Sequence, residues 1–221
     1  VVCRRQRQMC IRDSSWVGDL DGHLRMIDQT QLPGEFLEID CIEIQEVWDA
    51  IKQLKVRGAP AIGIAAAYGV CLAAKNAIQT GAQDPQQVTQ EQADYLATSR
   101  PTAVNLFWAL NRMKPVIQSD ATDLADWQRR LLAEAKEIHE EDRRMCHGIG
   151  ECGAALLSDG DSVLTHCNAG GLATAEYGTA LSVFFTAQDQ GKSLHVFVDE
   201  TRPLLQGCLL YTSDAADDIP R

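Results

Sequence analysis

Residues 61–79, AIGIAAAYGVCLAAKNAIQ, place apolar side chains on nearly every face that a helix would present. A helix without a polar side cannot lie on a surface, so it must be enclosed by other elements. Directly ahead stand Arg57, Gly58, Ala59 and Pro60. Pro60 suits the first turn of a helix, because the N–H it lacks would have found no partner there.

The enclosing elements are legible as well. Over 43–54, Ile44, Val47, Ile51 and Leu54 recur at helical spacing, the signature of one face laid on a core. A second helix is predicted after Asp84-Pro85, over 86–97, and a third from the Arg100-Pro101 pair, over 100–113. A fourth, 123–147, sets Leu124, Trp127, Leu131, Ala135 and Ile138 in one stripe opposite abundant charge. Before them, 22–33 reads as a short edge strand and a turn broken at Pro33-Gly34.

From about residue 160 the pattern changes to strand and helix in alternation. DSVLTHC (161–167) and LHVFVDE (194–200) are short apolar strands, separated by a glycine turn and a helix. Such a β-α-β unit implies parallel strands joined by a right-handed crossover. The expectation is an α/β chain, with a mainly helical N-terminal domain over 15–155 and an incomplete, Rossmann-like doubly wound domain over 156–207. Neither end resembles the body: 1–14 sets arginines against one aspartate, and 208–221 lacks apolar periodicity, so both are expected to be non-native.

Charge and composition exclude several functions. A net charge of −11 argues against a general nucleic-acid binder, which needs a basic face to displace counterions. No run approaches the roughly 18 apolar residues of a membrane span, and no apolar stretch follows the N-terminal arginines as a secretory signal would require. Eight cysteines at irregular spacing, in a chain large enough to fold without a disulfide framework, point to free thiols in a reducing cytoplasm. His139, Cys146 and His147 form the nearest approach to a metal cluster, but a fourth ligand at sensible spacing is missing, so no metal is expected.

In open α/β sheets, ligands gather at the carboxyl ends of the strands. Cys167 leaves the first strand ahead of a helix, where unpaired N–H groups favour a thiolate; a buried thiol acting as a small apolar residue is the alternative. Asp199 and Glu200 end the second strand, and Gln206 follows with a neutral donor and acceptor. No G-x-G-x-x-G follows the strand, which argues against a standard dinucleotide site. Arg57 and Arg100 each precede a helix start that opens with proline, and a guanidinium beside free helix N–H groups fits phosphate oxygens.

The stretches IDQTQLP, VRGAPAIGIAAAYGV, RPTAVNLFWALNRM, THCNAGGLATAEYGTAL and VDETRPLLQG, in this order over 22–207, closely resemble the methylthioribose-1-phosphate isomerases. These belong to the larger family that includes regulatory subunits of initiation factor 2B. The resemblance implies an aldose-to-ketose isomerisation in methionine salvage, with the phosphate kept on C1 and the C2 hydroxyl becoming a ketone. It implies substrate binding by Arg57, Gly58 and Ala59, a grip on the phosphate by Arg100, a contact to the sugar from Gln206, and transition-state assistance by Cys167. It implies no metal or organic cofactor, a small sugar phosphate as partner, no nucleic acid or membrane, and a homodimer formed through the α/β domain.

The family's general acid–base aspartate and its Asn-Lys pair lie in further β-α units beyond the last matching motif. The chain alone is therefore expected to be inactive. A ribose-1,5-bisphosphate isomerase would need a second cationic pocket where the methylthio group otherwise packs. A non-catalytic regulatory subunit would have no use for a thiol at a phosphate-lined strand end.

Overall fold

The computed structural model of the chain describes residues 13–120 and 123–199. It divides into two compact units: Ser14–Thr30 with Leu37–Glu140, and Gln31–Phe36 with Glu141 onward. The flanking stretches 1–12 and 208–221, along with Glu200 and Gln206, lie outside the described residues.

The first unit is built around the apolar helix. Helix α1 spans Ile44–Lys52, α2 Ala59–Gln79, α3 Pro85–Ala97, α4 Val104–Ile117 and α5 Leu124–Ala154. Every residue of α2 from Ala61 to Lys75 is buried. By length and composition this helix could cross a membrane, contrary to the expectation that no stretch reaches that size; its enclosure identifies it as a core helix instead.

Small residues on α2 set how closely its neighbours approach. A β-carbon on Gly63 would come within 3.0 Å of the Asn105 carbonyl oxygen on α4. One on Gly69 would meet Leu96 of α3 at 3.0 Å and Val47 of α1 at 3.4 Å. Trp127 on α5 is fully buried, and its indole N–H donates to the carbonyls of Val116 and Ile117.

A three-stranded antiparallel sheet packs on the same helix. Its strands are β1 (Ser14–Val17), β2 (His23–Ile27) and β3 (Glu38–Cys41), in the order β1-β2-β3. The strand expected at an edge is therefore central, because Ser14–Val17 also pairs with it. Its side chains Leu24, Met26 and Ile27 are buried. Trp16 stacks on Tyr68 of α2, and the buried Lys75 ammonium donates to the carbonyl of Gly22 at 3.0 Å. Burial lowers the pKa of that lysine.

Capping chemistry fixes where the helices begin and end. Glu46 accepts the N–H groups of Ile42 and Glu43, closing the start of α1, and Asp84 accepts the N–H of Gln87 at the start of α3. At the end of α1, the Leu54 N–H bonds Ile51 O and the Lys55 N–H bonds Ala50 O, with Leu54 at φ +64. That left-handed cap takes Leu54 out of the helix whose stripe it was expected to continue. The stripe on α5 holds for Trp127, Leu131, Ala135 and Ile138, which are buried, while Leu124 is exposed. The helix runs to Ala154, seven residues past its expected end.

In the second unit, β4 (Ser162–His166) and β5 (His195–Asp199) pair in parallel, Ser162 beside His195 and His166 beside Asp199. Helix α6 (Ala180–Asp189) lies between them in sequence. Buried Ala154, Ala187 and Leu194, packed with Leu157, Phe184 and Val196, form the apolar cluster on one side. The neighbouring pair Leu164 and Phe197 points to the other face and stays exposed.

Candidate functional site

The two arginines singled out by the sequence precede helices whose first turns are neighbours. Gly58 is the N-cap of α2, Pro60 falls in its first turn, and Arg57 stands immediately outside. Because Gly63, in the second turn of α2, touches the backbone of Asn105 at the start of α4, the first turns of the two helices lie side by side. Arg100 precedes α4 at that same end.

Arg100 does not, however, sit at a helix N-terminus. Residues 100–103 form a turn closed by the Ala103 N–H on the Arg100 carbonyl, and the helix begins only at Val104. Proline at the second position of such a turn is favoured for the same fixed φ that suits a helix start, which is why the Arg-Pro pair read as one. Of the two expected anion seats, the one at Arg57 is formed by a helix terminus.

A zipper of contacts places Arg57. The Schellman cap of α1 delivers Lys55, whose carbonyl accepts the Gln29 N–H at 3.0 Å. The Lys55 ammonium lies 3.8 Å from a carboxylate oxygen of Asp28, which is buried and whose other oxygen accepts the N–H and hydroxyl of Thr30. Arg57 then donates from Nε to Oε1 of Gln29 at 3.2 Å, and Gln29 is only 2% exposed. Gln29 was visible in the IDQTQLP stretch, but its role depends on a partner 28 residues away.

Cys167 lies in the second unit, directly beyond β4. Its backbone is left-handed, φ +64, a conformation that costs a residue with a β-carbon about 1–2 kcal/mol. The expected helix does follow, but not directly. Residues 168–179 form a loop with one 3₁₀ turn, Gly171–Ala173, and α6 starts only at Ala180. The thiol therefore sits at a strained strand end, with no helix dipole directly behind it.

Two buried polar atoms beside it, Thr165 Oγ1 and Asn168 Nδ2, have no hydrogen-bond partner. Left-handed backbone at a residue with a β-carbon clusters at functional sites, and here it adjoins two polar atoms available to a ligand. His166 and Asp199, at the carboxyl ends of the two strands, approach to 3.6 Å and are exposed.

The loop is tied down by groups that, apart from His147, sequence reasoning did not single out. The Asn168 side chain accepts the Gly170 N–H, and the Thr179 N–H returns to the Ala169 carbonyl at 2.8 Å. Asp142 on α5 accepts the Ala175 N–H at 2.7 Å, and burial raises its pKa. Glu176 is buried and takes Arg143 Nε and, at 3.3 Å, His147 Nε2, while His147 stacks on Tyr177 with ring centroids 4.5 Å apart.

The cysteines separate by environment. Cys41 is pushed up to about 12, mainly by burial; Cys146 is pushed up to about 11 by burial and the nearby Asp142; and Cys71 is raised further by complete enclosure. Cys152 is exposed and Cys167 half-buried. Among the described cysteines, alkylation of the folded chain at pH 8 is expected to modify Cys152 and Cys167 first, with Cys146 slower by about a hundredfold and Cys41 and Cys71 slower still, since only the thiolate reacts and these three are held back by burial. Peptide mapping by mass spectrometry checks this, and a Cys146 labelled as fast as Cys152 would contradict it.

The Initiation factor 2 subunit family matches residues 55–221. The chain is 57% identical over 196 residues to the 5-deoxyribose 1-phosphate isomerase of Moorella thermoacetica, covering 87% of this chain and 55% of that protein. It is 53% identical over 188 residues to the methylthioribose-1-phosphate isomerase of Rhodopirellula baltica, covering 85% and 53%. The crystal structure of 5-methylthioribose 1-phosphate isomerase from Pyrococcus horikoshii matches with a TM-score of 0.82 and 36% identity, over 97% of this chain and 60% of that one. The chain thus spans about half the length of the curated relatives it matches.

Proposed function

Because the chain belongs to the Initiation factor 2 subunit family, we propose that the protein carrying it is an aldose–ketose isomerase of a ribose 1-phosphate modified at C5, with 5-methylthioribose 1-phosphate as substrate and 5-methylthioribulose 1-phosphate as product. The observation that carries the reading is the placement of Arg57 immediately outside the first turn of α2, which neighbours the start of the helix that Arg100 precedes. Free helix N–H groups and a forked guanidinium together suit a phosphate monoester. Gly58 and Ala59 bring backbone close to that anion, and Gln206 contacts the sugar.

The reaction is internally balanced. After the ring opens, hydrogen leaves C2 and arrives at C1, so oxidation at one carbon matches reduction at the next and no external electron carrier is consumed. Cys167, at the end of the first parallel strand, assists the transition state of that hydrogen transfer. The names of the relatives divide between a methylthio group and a plain methyl at C5. Both are apolar, and both substrates belong in the assay.

The test uses the protein at the length of its curated relatives. Incubation with 5-methylthioribose 1-phosphate is expected to yield the 1-phospho ketose, followed by NMR; failure to convert either it or 5-deoxyribose 1-phosphate refutes the reading. Arg57→Ala is expected to lower kcat/KM by about a hundredfold, mostly through KM, because two charge-assisted hydrogen bonds are lost. A variant within threefold of wild type would remove Arg57 from the site.

A further inference from the structure

We propose that Gln29 is a positioning residue: its buried side-chain amide fixes the plane of the Arg57 guanidinium so that the arginine meets the substrate phosphate already oriented. This rests on the functional reading above, and it concerns a residue that touches no substrate.

Three observations support it. Gln29 is almost completely enclosed, so its side chain has few alternative rotamers. Its own backbone is anchored to the Lys55 carbonyl, two residues before Arg57, so donor and acceptor ride on segments already joined. The bond runs to Nε, the one guanidinium nitrogen within the chain of the side chain, and holding Nε sets the direction in which both Nη groups project.

The chemistry of the acceptor matters as much as its place. A glutamine oxygen accepts the N–H without cancelling the charge of the guanidinium, whereas a carboxylate there would form an ion pair and compete with phosphate for the same cation. A long arginine side chain loses considerable rotamer freedom when it binds, and a fixed partner removes part of that loss beforehand.

The test is a double-mutant cycle in the protein at its relatives' full length, with kcat and KM measured for wild type, Gln29→Met, Arg57→Ala and the double variant, and thermal melting followed for each. Gln29→Met keeps the volume and removes the acceptor. It is expected to raise KM about tenfold with kcat changed less than twofold, and to have less than a twofold effect once Arg57 is already alanine. Equal losses in both backgrounds, or no loss in the single variant, overturn the proposal even if melting shifts.

Should Gln29→Met not fold, Gln29→Glu carries the same test. Its KM relative to wild type is expected to climb as pH rises through the carboxylate range and to stay flat in the Arg57→Ala background; a flat ratio with Arg57 present overturns the proposal. A wild-type-like Arg57→Ala would remove Arg57 from the site and this inference with it, whereas failure of the wild type to convert either sugar phosphate would refute the functional reading itself.

Discussion

Cys167→Ala, made in the protein at its relatives' full length, is expected to reduce kcat by about a thousandfold while KM changes less than threefold. A positioned acid–base group contributes roughly 10² to 10⁴ to rate, and it acts on the transition state rather than on ground-state binding. Alanine retains the β-carbon and therefore the same backbone strain at φ +64, so the loss reports the sulfur alone. Cys167→Gly should lose as much activity yet gain about 1 kcal/mol of stability, since glycine adopts that conformation without strain. Steady-state kinetics and urea titration of both variants check the pair of outcomes; a Cys167→Ala enzyme retaining a third of wild-type kcat would exclude a chemical role for the thiol.

The second large effect concerns the loop itself. Gly178 has φ +84, and a β-carbon there would lie 2.3 Å from the Ala169 carbonyl oxygen and 2.5 Å from Gly170 Cα. Gly191 has the same φ with nothing within 4 Å. Alanine at 191 should therefore cost only the backbone strain, about 1 kcal/mol. Alanine at 178 should cost about 3 kcal/mol, because it also displaces the Ala169 segment and breaks the Thr179 bond that closes the loop. Denaturant unfolding of the two variants gives the comparison, and equal losses would show that crowding at Gly178 is relieved without consequence.

Legibility in the sequence followed the range of the interaction. Helix α2 was readable because all-round hydrophobicity is a property of one segment, and so were the parallel strands β4 and β5, short apolar runs bounded by turns. The stretch after Cys167 misled: Leu172 to Tyr177 lacks a helix breaker, yet the Ala175 N–H goes to Asp142, 33 residues away, instead of along a helix. The start of α4 misled for a related reason, since proline at residue 101 serves a turn as well as a first helical position. Arg57 and Cys167 could be named as candidates from residue type and local setting. Gln29 and Glu176 could not, because an amide or a carboxylate becomes informative only when its partner is known.

Finally, the hydrocarbon sheath around α2 bears on how its N-terminus acts at a distance. Peptide dipoles along a solvated helix are damped by water and mobile ions, whereas along α2 neither solvent nor counterion can approach the barrel. The partial positive charge on the unpaired N–H groups of the first turn, beside Gly58 and Ala59, is therefore backed by a poorly polarisable interior and is screened by solvent from one side only. Packing that serves stability thus also sharpens the attraction of this terminus for an anion.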